Sequence, residues 1–195
     1  MTEICFVTSN NNKIKEVQPF IKNQKIISLQ DLNFNGDIKE TEKTFKGNSF
    51  LKADFIYKKY KINCFSDDSG LEVEALNNTP GVLSARYAGK NASSNDNIEL
   101  LLKNLKGIKN RRARFITSIC LIIDSSVIFF EGVVLGTIID HKSGNNGFGY
   151  DPVFIPDGYN KTFSKMPFEF KNSISHRSIA IKKLVNYINE LSWRI

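Results

Sequence analysis

The sequence predicts a mixed α/β protein, in which helices flank a mixed β-sheet that is bent into two lobes around a cleft. Three observations lead to this fold class: a strand, a polar turn and a helix open the chain, helical segments recur along it, and a long antiparallel hairpin occupies residues 112–139. With 195 residues, of which 41% are hydrophobic, the chain suits a single domain over residues 1–195 with its own core.

The first part of the chain is predicted to contain one strand and two helices. The apolar run 4–8 predicts a buried strand, the polar residues 9–12 predict a turn, and a helix is expected from about residue 13 to residue 21. A second helix is predicted over residues 44–59, where apolar residues four positions apart share one face. These elements form a strand–turn–helix opening followed by a longer helix.

Two adjacent carboxylates, Asp67 and Asp68, stand between the apolar runs 62–65 and 71–73, which places them where a strand ends. Neighbouring carboxylates repel each other, and a divalent cation relieves that repulsion and makes the pair useful in phosphate chemistry. A solvated acidic turn is the competing interpretation, because Asp, Ser and Gly are common turn residues.

The second part of the chain is predicted to contain two helices, a long hairpin and a loop. The hairpin segments are rich in β-branched and aromatic residues, the loop is rich in glycine and asparagine, and the final helix has apolar residues at helical spacing. The predicted bounds are 95–105 for a helix capped by Ser93 or Ser94, 112–123 and 127–139 for the hairpin strands, 143–149 for the loop and 175–191 for the final helix.

Composition restricts the function classes. The formal net charge is +7, which is typical of a lysine-rich surface and is also compatible with a pocket for a nucleoside triphosphate; no recognised nucleic-acid-binding motif accompanies it. Cys5, Cys64 and Cys120 lie among apolar residues without C-x-x-C spacing, so we expect reduced core thiols and no zinc site. Without a signal peptide or an apolar run of roughly 20 residues, we expect a soluble, cytoplasmic protein.

The acidic pair belongs to a longer pattern, because DDSGLEVEAL at 67–76 is followed by PGV at 80–82 and SARYAG at 84–89. This string resembles the signature of the Ham1-type inosine triphosphate pyrophosphatases, which remove non-canonical purine nucleotides. Further segments resemble motifs of the same family in the same order, from residue 8 to about residue 183. They are TSNNNK at 8–13, TFKGNSFLKA at 44–53, FGYDPVF at 148–154 and KNSISHR at 171–177.

The resemblance implies a role for each motif. Asp68 would bind Mg²⁺ and act as base toward the water that attacks the α-phosphorus, with Asp67 as a second candidate ligand. The other motifs would bind the triphosphate, stack on the purine through Phe148 and donate hydrogen bonds to an oxygen at C6. The candidate substrate-binding residues are Thr8, Ser9, Asn10, Asn11, Asn12, Lys13, Lys52, Ser69, Phe148, Gly149, Tyr150, Asp151, Lys171, His176 and Arg177.

A Ham1-type protein implies a Mg²⁺-dependent pyrophosphatase that converts ITP, dITP and XTP to the monophosphate and pyrophosphate. The resemblance also implies an elongated α/β fold with a central cleft between two lobes, and a homodimeric state. Neither a nucleic acid nor a membrane is an expected partner.

Gly47 departs from the family pattern, because many members carry a metal-binding glutamate at this position. The metal would then rely on Asp68, Asp67, water and the substrate phosphates, with Glu40 or Glu42 as candidate replacements. Three alternatives stay open: a nucleotide-binding protein with weak or no catalysis, a Maf-type pyrophosphatase for other modified nucleotides, and a nucleic-acid-binding module suggested by the positive charge.

Overall fold

The computed structural model describes residues 3–22 and 25–192 and shows a mixed α/β architecture, which confirms the predicted fold class. The chain divides into two compact units. The first unit comprises the chain up to Asp68, residues Thr117–Gly132 and the chain from Arg177, and the second unit comprises Ser69–Ile116 and Val133–His176.

The described residues form seven β-strands and five α-helices. The strands are β1 Glu3–Phe6, β2 Lys25–Ile27, β3 Cys64–Val73, β4 Thr79–Pro80, β5 Arg112–Ile123, β6 Ser126–Ile138 and β7 Phe154–Pro156. The helices are α1 Asn11–Val17, α2 Phe45–Tyr60, α3 Ser94–Asn104, α4 Phe168–Ile174 and α5 His176–Ser192. Among the described helices, none has both the length and the apolar composition needed to cross a bilayer.

The strands pair in the order β2-β1-β3-β5-β6-β7, with β4 added to β3. β1 is parallel to both β2 and β3, whereas β4 and β7 are antiparallel to β3 and β6. β3, β5 and β6 each contribute residues to both units. The hairpin between β5 and β6 turns at Asp124 and Ser125, whose positive φ angles of 48° and 68° suit a two-residue hairpin turn.

Two apolar clusters form the core of the first unit. Alternation along β1 sends Phe6 to the cluster that contains α5, where it stacks on Phe65 with ring centroids 4.5 Å apart, and sends Cys5 to the cluster that contains α2. Cys5, Cys64 and Cys120 are free and buried, as predicted. Burial raises the pKa of each of these thiols to about 12, so they are inert core residues.

The second unit has one core, in which α3 contributes Ile98 and Leu101 and β7 contributes Phe154. The predicted cap of α3 is confirmed. The Ser93 hydroxyl accepts a hydrogen bond from the Asp96 N–H, and the Asp96 carboxylate accepts one from the Ser93 N–H. Thr44 caps α2 in a similar way, because its hydroxyl accepts from the Gly47 N–H.

Two predictions are wrong in their bounds. The helix expected over 13–21 ends at Val17 and continues only as a 3₁₀ turn, because Pro19 has no N–H to extend the helix. Asp67 and Asp68 do not end a strand but lie within β3, and both are buried. β1 ends at Phe6, opposite Phe65, so the carboxylates come just past the end of a neighbouring strand, where cationic side chains reach them.

Candidate active site

Asp67 lies in a buried ion-pair cluster of the first unit. Its Oδ1 accepts a hydrogen bond from Lys13 Nζ at 3.0 Å, and its Oδ2 accepts one from Arg177 Nε at 3.1 Å. Arg177 also pairs with Glu16 of α1, and its side chain is only 2% exposed. Because both oxygens of Asp67 bind cationic groups, this geometry favours Asp68 over Asp67 as a metal ligand.

The charges around Asp67 outweigh the cost of its burial. Burial by itself opposes ionisation, but Lys13, Arg177 and Lys52 hold the pKa of this carboxyl well below its ordinary value of 3.8. Burial lowers the pKa of Lys13, and the nearby Asp67 carboxylate opposes that change. Asp67 therefore stays ionised at any physiological pH.

Asp68 has different surroundings. Its Oδ2 accepts a hydrogen bond from Asn48 Nδ2 at 3.0 Å, and Asn48 Oδ1 accepts from the Glu42 N–H at 2.9 Å, so the start of α2 fixes this carboxylate. Burial raises the pKa of Asp68 above 3.8; Lys52 opposes the rise and Glu40 adds to it. A raised pKa suits a carboxylate that accepts a proton.

Lys52 Nζ binds two groups beside Asp68. It forms an ion pair with Glu40 and donates a hydrogen bond to the Asp67 carbonyl oxygen at 2.8 Å. Burial lowers the pKa of Lys52, but Asp68, Glu40 and Asp67 more than compensate, and the net change is upward. A full positive charge thus lies among three carboxylates.

The surroundings of Gly47 distinguish the two candidate replacements for the absent glutamate. A Cβ at position 47 would lie 2.7 Å from Glu42 Cβ, so the exposed Glu42 side chain occupies the space beside Gly47. Glu40 instead pairs with Lys52 and influences the pKa of Asp68. Of the two, Glu40 is the carboxylate whose charge acts on the cluster.

The donor set around Asp68 fits Mg²⁺. Among the described residues, no group of three or more His, Cys, Asp or Glu side chains could hold a metal ion by itself. Asp68 and Glu40 would supply two carboxylates, and water and phosphate would complete the coordination. Mg²⁺ commonly binds in this way, whereas a structural zinc or calcium site needs more protein ligands.

Residues 8–12 comprise the end of the connection between β1 and α1 and the first two residues of α1, and they are mostly exposed. Asn10 caps α1, because its Oδ1 accepts from the N–H groups of Asn12 and Lys13 at 2.9 and 3.4 Å, and the Thr8 hydroxyl accepts from the Asn10 N–H. A phosphate that binds these donors must displace the Asn10 side chain. Ser9 and Asn11 are exposed in the same segment.

In the second unit, Asp151 joins two other predicted residues. Its Oδ2 accepts from Lys171 Nζ at 2.6 Å and from the Phe148 N–H at 2.9 Å, and Lys171 Nζ lies 5.0 Å from the centroid of the Phe148 ring. Gly147 allows this arrangement, because its φ is +79° and a Cβ there would lie 2.0 Å from Asp151 Oδ2. The buried ion pair therefore fixes the half-buried Phe148.

Tyr150, Gly149 and Ser69 are three further predicted residues. Tyr150 is buried and its hydroxyl donates to the Ser84 carbonyl at 2.9 Å, while Gly149 precedes it with a positive φ of 61°. Burial raises the pKa of Tyr150, so it acts as a hydrogen-bond donor and not as an acid. Ser69 follows Asp68 in β3 and is half-buried.

His176 is the first residue of α5 and is 5% exposed. Its imidazole stacks on the ring of Phe115, with ring centroids 4.7 Å apart and planes inclined by 8°. Phe115 belongs to β5 and is a contact that the sequence did not predict, as are Glu16 and Asn48. Glu16 follows Lys13 by three positions on α1, so helical spacing places both side chains on the same face. This spacing is the signal in the sequence that points to Glu16.

Comparison with known proteins finds relatives over nearly the whole chain. The model of the Ham1 family matches residues 4–187. The chain is 46% identical over 187 residues to a dITP/XTP pyrophosphatase from Flavobacterium johnsoniae, which covers 95% of this chain and 97% of that protein. It is 44% identical over 190 residues to a protein of the same name from Porphyromonas gingivalis, with 96% and 98% covered.

Solved structures agree with these relatives. The Ham1 protein of Staphylococcus aureus matches with a TM-score of 0.91 at 39% sequence identity, covering 97% of this chain and 99% of that one. A HAM1 protein from Coxiella burnetii also gives a TM-score of 0.91, at 35% identity, with 97% and 100% of the two chains covered.

Proposed function

Because the chain belongs to the Ham1 family, we propose that it hydrolyses non-canonical purine nucleoside triphosphates, namely dITP, XTP and ITP, to the monophosphate and pyrophosphate. The observation that carries this proposal is the placement of Asp68 beside Lys52 and the Lys13–Asp67 pair. A carboxylate with a raised pKa among lysines suits the attack of water on a polyphosphate. The names of the curated relatives support the substrate class.

We assign the metal to Asp68 and Glu40, with Mg²⁺ as the ion. When bound, Mg²⁺ would neutralise part of the negative charge on the phosphate oxygens. Asp68 accepts the proton of the attacking water, Asn48 orients its carboxylate, and Asp67 keeps Lys13 in place. This division of roles follows from the opposite pKa shifts of the two neighbouring carboxylates.

Lys13 and Lys52 hold the triphosphate and stabilise the charge that develops on the pyrophosphate leaving group. Positioning and electrostatic stabilisation supply most of the catalysis in phosphoryl transfer. The segment 8–12 and Ser69 contribute further polar groups for the phosphates.

We assign Phe148, Asp151, Lys171 and His176 to the purine. Phe148 stacks on the base, and Asp151 and Lys171 hold Phe148 in position. His176 donates to the oxygen at C6 of hypoxanthine or xanthine, where adenine carries an amino group that donates. Arg177 takes a supporting role in this assignment, because it already pairs with Asp67 and Glu16.

The first experiment measures pyrophosphate release from ITP, XTP, dITP, GTP and ATP, with Mg²⁺ and with EDTA. We expect Mg²⁺-dependent turnover of ITP, XTP and dITP well above that of ATP and GTP. Tight ITP binding without turnover would instead indicate a nucleotide-binding protein. Turnover confined to other modified nucleotides would indicate a Maf-like specificity.

We also propose that residues 1–195 act as one Ham1-type domain, in the cytoplasm and as a homodimer, without a nucleic-acid or membrane partner. Light scattering of the purified chain tests the dimer. Binding to DNA or RNA that is salt-sensitive and tighter than binding to ITP would contradict the absence of a nucleic-acid partner.

A further inference from the structure

Three buried phenylalanines of the second unit form an aromatic cluster: Phe115 of β5, Phe154 of β7 and Phe163 of the following 3₁₀ turn. The centroids of Phe115 and Phe154 are 4.7 Å apart in an edge-to-face arrangement, and those of Phe154 and Phe163 are 5.4 Å apart. Edge-to-face packing of this kind restricts ring rotation, so Phe115 presents a fixed face.

The aromatic cluster contacts two of the ionisable side chains that we assign to purine recognition, His176 and Lys171. His176 stacks on Phe115 with nearly parallel planes, and Lys171 Nζ lies 5.7 Å from the centroid of Phe163. Lys171 in turn pairs with the Asp151 that holds the Phe148 backbone. The cluster therefore contacts the His176 imidazole directly and is connected to Phe148 through Lys171 and Asp151.

We propose that Phe115 is a positioning residue for purine selection, because it fixes the plane of the His176 imidazole. This inference rests on the proposed function, in which His176 donates to the oxygen at C6. A hydrogen bond weakens steeply when its donor is misaligned, and a His side chain can otherwise rotate about its broad terminal torsion. Stacking on Phe115 restricts that rotation before the base binds, so aligning the donor costs less entropy on binding.

Replacement of Phe115 by leucine tests the stack directly. The chain has only two histidines, so the imidazole protons give two resolvable NMR signals. His141 is exposed beside Asp140 and serves as an internal reference, whereas His176 lies under the ring current of Phe115. We expect Phe115→Leu to move the His176 signal toward its unstacked position and to leave the His141 signal unchanged.

The matched control is Ile98→Val on α3, which alters the same core without touching His176. Both variants lose core packing, so thermal unfolding of each establishes that the measured protein is folded. We expect Ile98→Val to leave both histidine signals in place. An unchanged His176 signal in folded Phe115→Leu would overturn the proposal.

Kinetics distinguish positioning from stability. We expect the ratio of kcat/KM for ITP to kcat/KM for ATP to fall roughly three- to tenfold in Phe115→Leu, through a higher KM for ITP at nearly unchanged kcat, as the loss of one aromatic contact predicts. The ratio should stay constant in Ile98→Val. A constant ratio in Phe115→Leu overturns the inference but not the proposed function, which fails only if the wild-type protein does not hydrolyse ITP.

Discussion

Asp67 and Asp68 are neighbours in the chain, but their surroundings shift their pKa values in opposite directions. Asp67 is ionised and tied to Lys13 and Arg177, whereas burial favours the protonated form of Asp68. We therefore expect a structural role for Asp67 and a reactive role for Asp68. The asparagine variants of the two residues should change the stability of the fold at neutral pH in opposite directions. Each variant therefore serves as the control of the other.

The Asp68→Asn variant should lose about a hundredfold or more of kcat for ITP, because general base catalysis contributes on that scale. It should nevertheless unfold at a higher temperature than the wild type in EDTA at neutral pH. A folded-state pKa above the ordinary 3.8 means that ionised Asp68 costs stability once the pH rises through that pKa, and asparagine removes this charge. Near-normal kcat would contradict the role of Asp68 as base.

The Asp67→Asn variant should be destabilised at neutral pH by roughly 3–5 kcal/mol, because it leaves the buried Arg177 and Lys13 without their shared partner. The folded-state pKa of Asp67 lies below 3.8, so the stabilisation is complete above 3.8 and is lost as the pH falls through the folded-state pKa. Urea unfolding should show a smaller difference between the two proteins at pH 3 than at pH 7, because at pH 3 the unfolded wild type already binds a proton at Asp67 and the folded protein does not. A constant difference would argue against the ion pair as its source.

The Gly147→Ala variant should raise the KM for ITP about tenfold, because a Cβ there collides with the Asp151 carboxylate that holds Phe148. Gly158→Ala is its matched control. Gly158 has a similar φ of +83° but nothing within 4 Å of an added Cβ, so both variants carry the backbone strain and only one disturbs Asp151. Equal KM values in the two variants would show that strain alone is responsible.

At the scale of elements, the segment before α2 carries Glu40 and Glu42, the two candidate replacements for the metal-binding glutamate that is absent at position 47. The Glu40→Gln variant should raise the Mg²⁺ concentration for half-maximal activity and weaken the Mg²⁺-induced thermal shift, because it removes one of two proposed ligand carboxylates. The Glu42→Gln variant should behave like the wild type in both measurements. A larger effect at Glu42 would make Glu42, and not Glu40, the second carboxylate of the metal site.

The sequence predicts elements well where a local signal exists. Ser93 and Thr44 are N-cap residues that predict the starts of α3 and α2. The β-branched residues of the hairpin predict its two strands. β2, β4, β7 and α4 were not predicted, because they have only two to seven residues and too little periodicity.

The candidate site is less predictable, because its contacts join distant parts of the chain. The position of Asp67 within a strand depends on partners that are 54 and 110 residues away, namely Lys13 and Arg177. No local sequence pattern shows that these charges come together. The sequence alone therefore places Asp67 and Asp68 at the end of a strand. The support of His176 by Phe115 has the same origin, since the stack joins β5 to the start of α5.

At the scale of the whole molecule, three long strands contribute to both units. Neither unit can lose its part of the sheet without disturbing the same strands in the other, so we expect one cooperative unfolding transition. Calorimetry should give a calorimetric enthalpy close to the van't Hoff enthalpy. Two resolved transitions would show that the units unfold independently.

The formal charge of the ion-pair cluster in the first unit also predicts which form of the triphosphate binds, with or without its metal ion. Lys13, Lys52 and Arg177 face the four carboxylates Glu16, Glu40, Asp67 and Asp68, which leaves a formal charge of −1. A free triphosphate meets net repulsion there, whereas a triphosphate that already carries Mg²⁺ brings the missing positive charge with it. We therefore expect the metal–nucleotide complex to be the substrate, and an excess of uncomplexed ITP should be a poor competitor in steady-state kinetics.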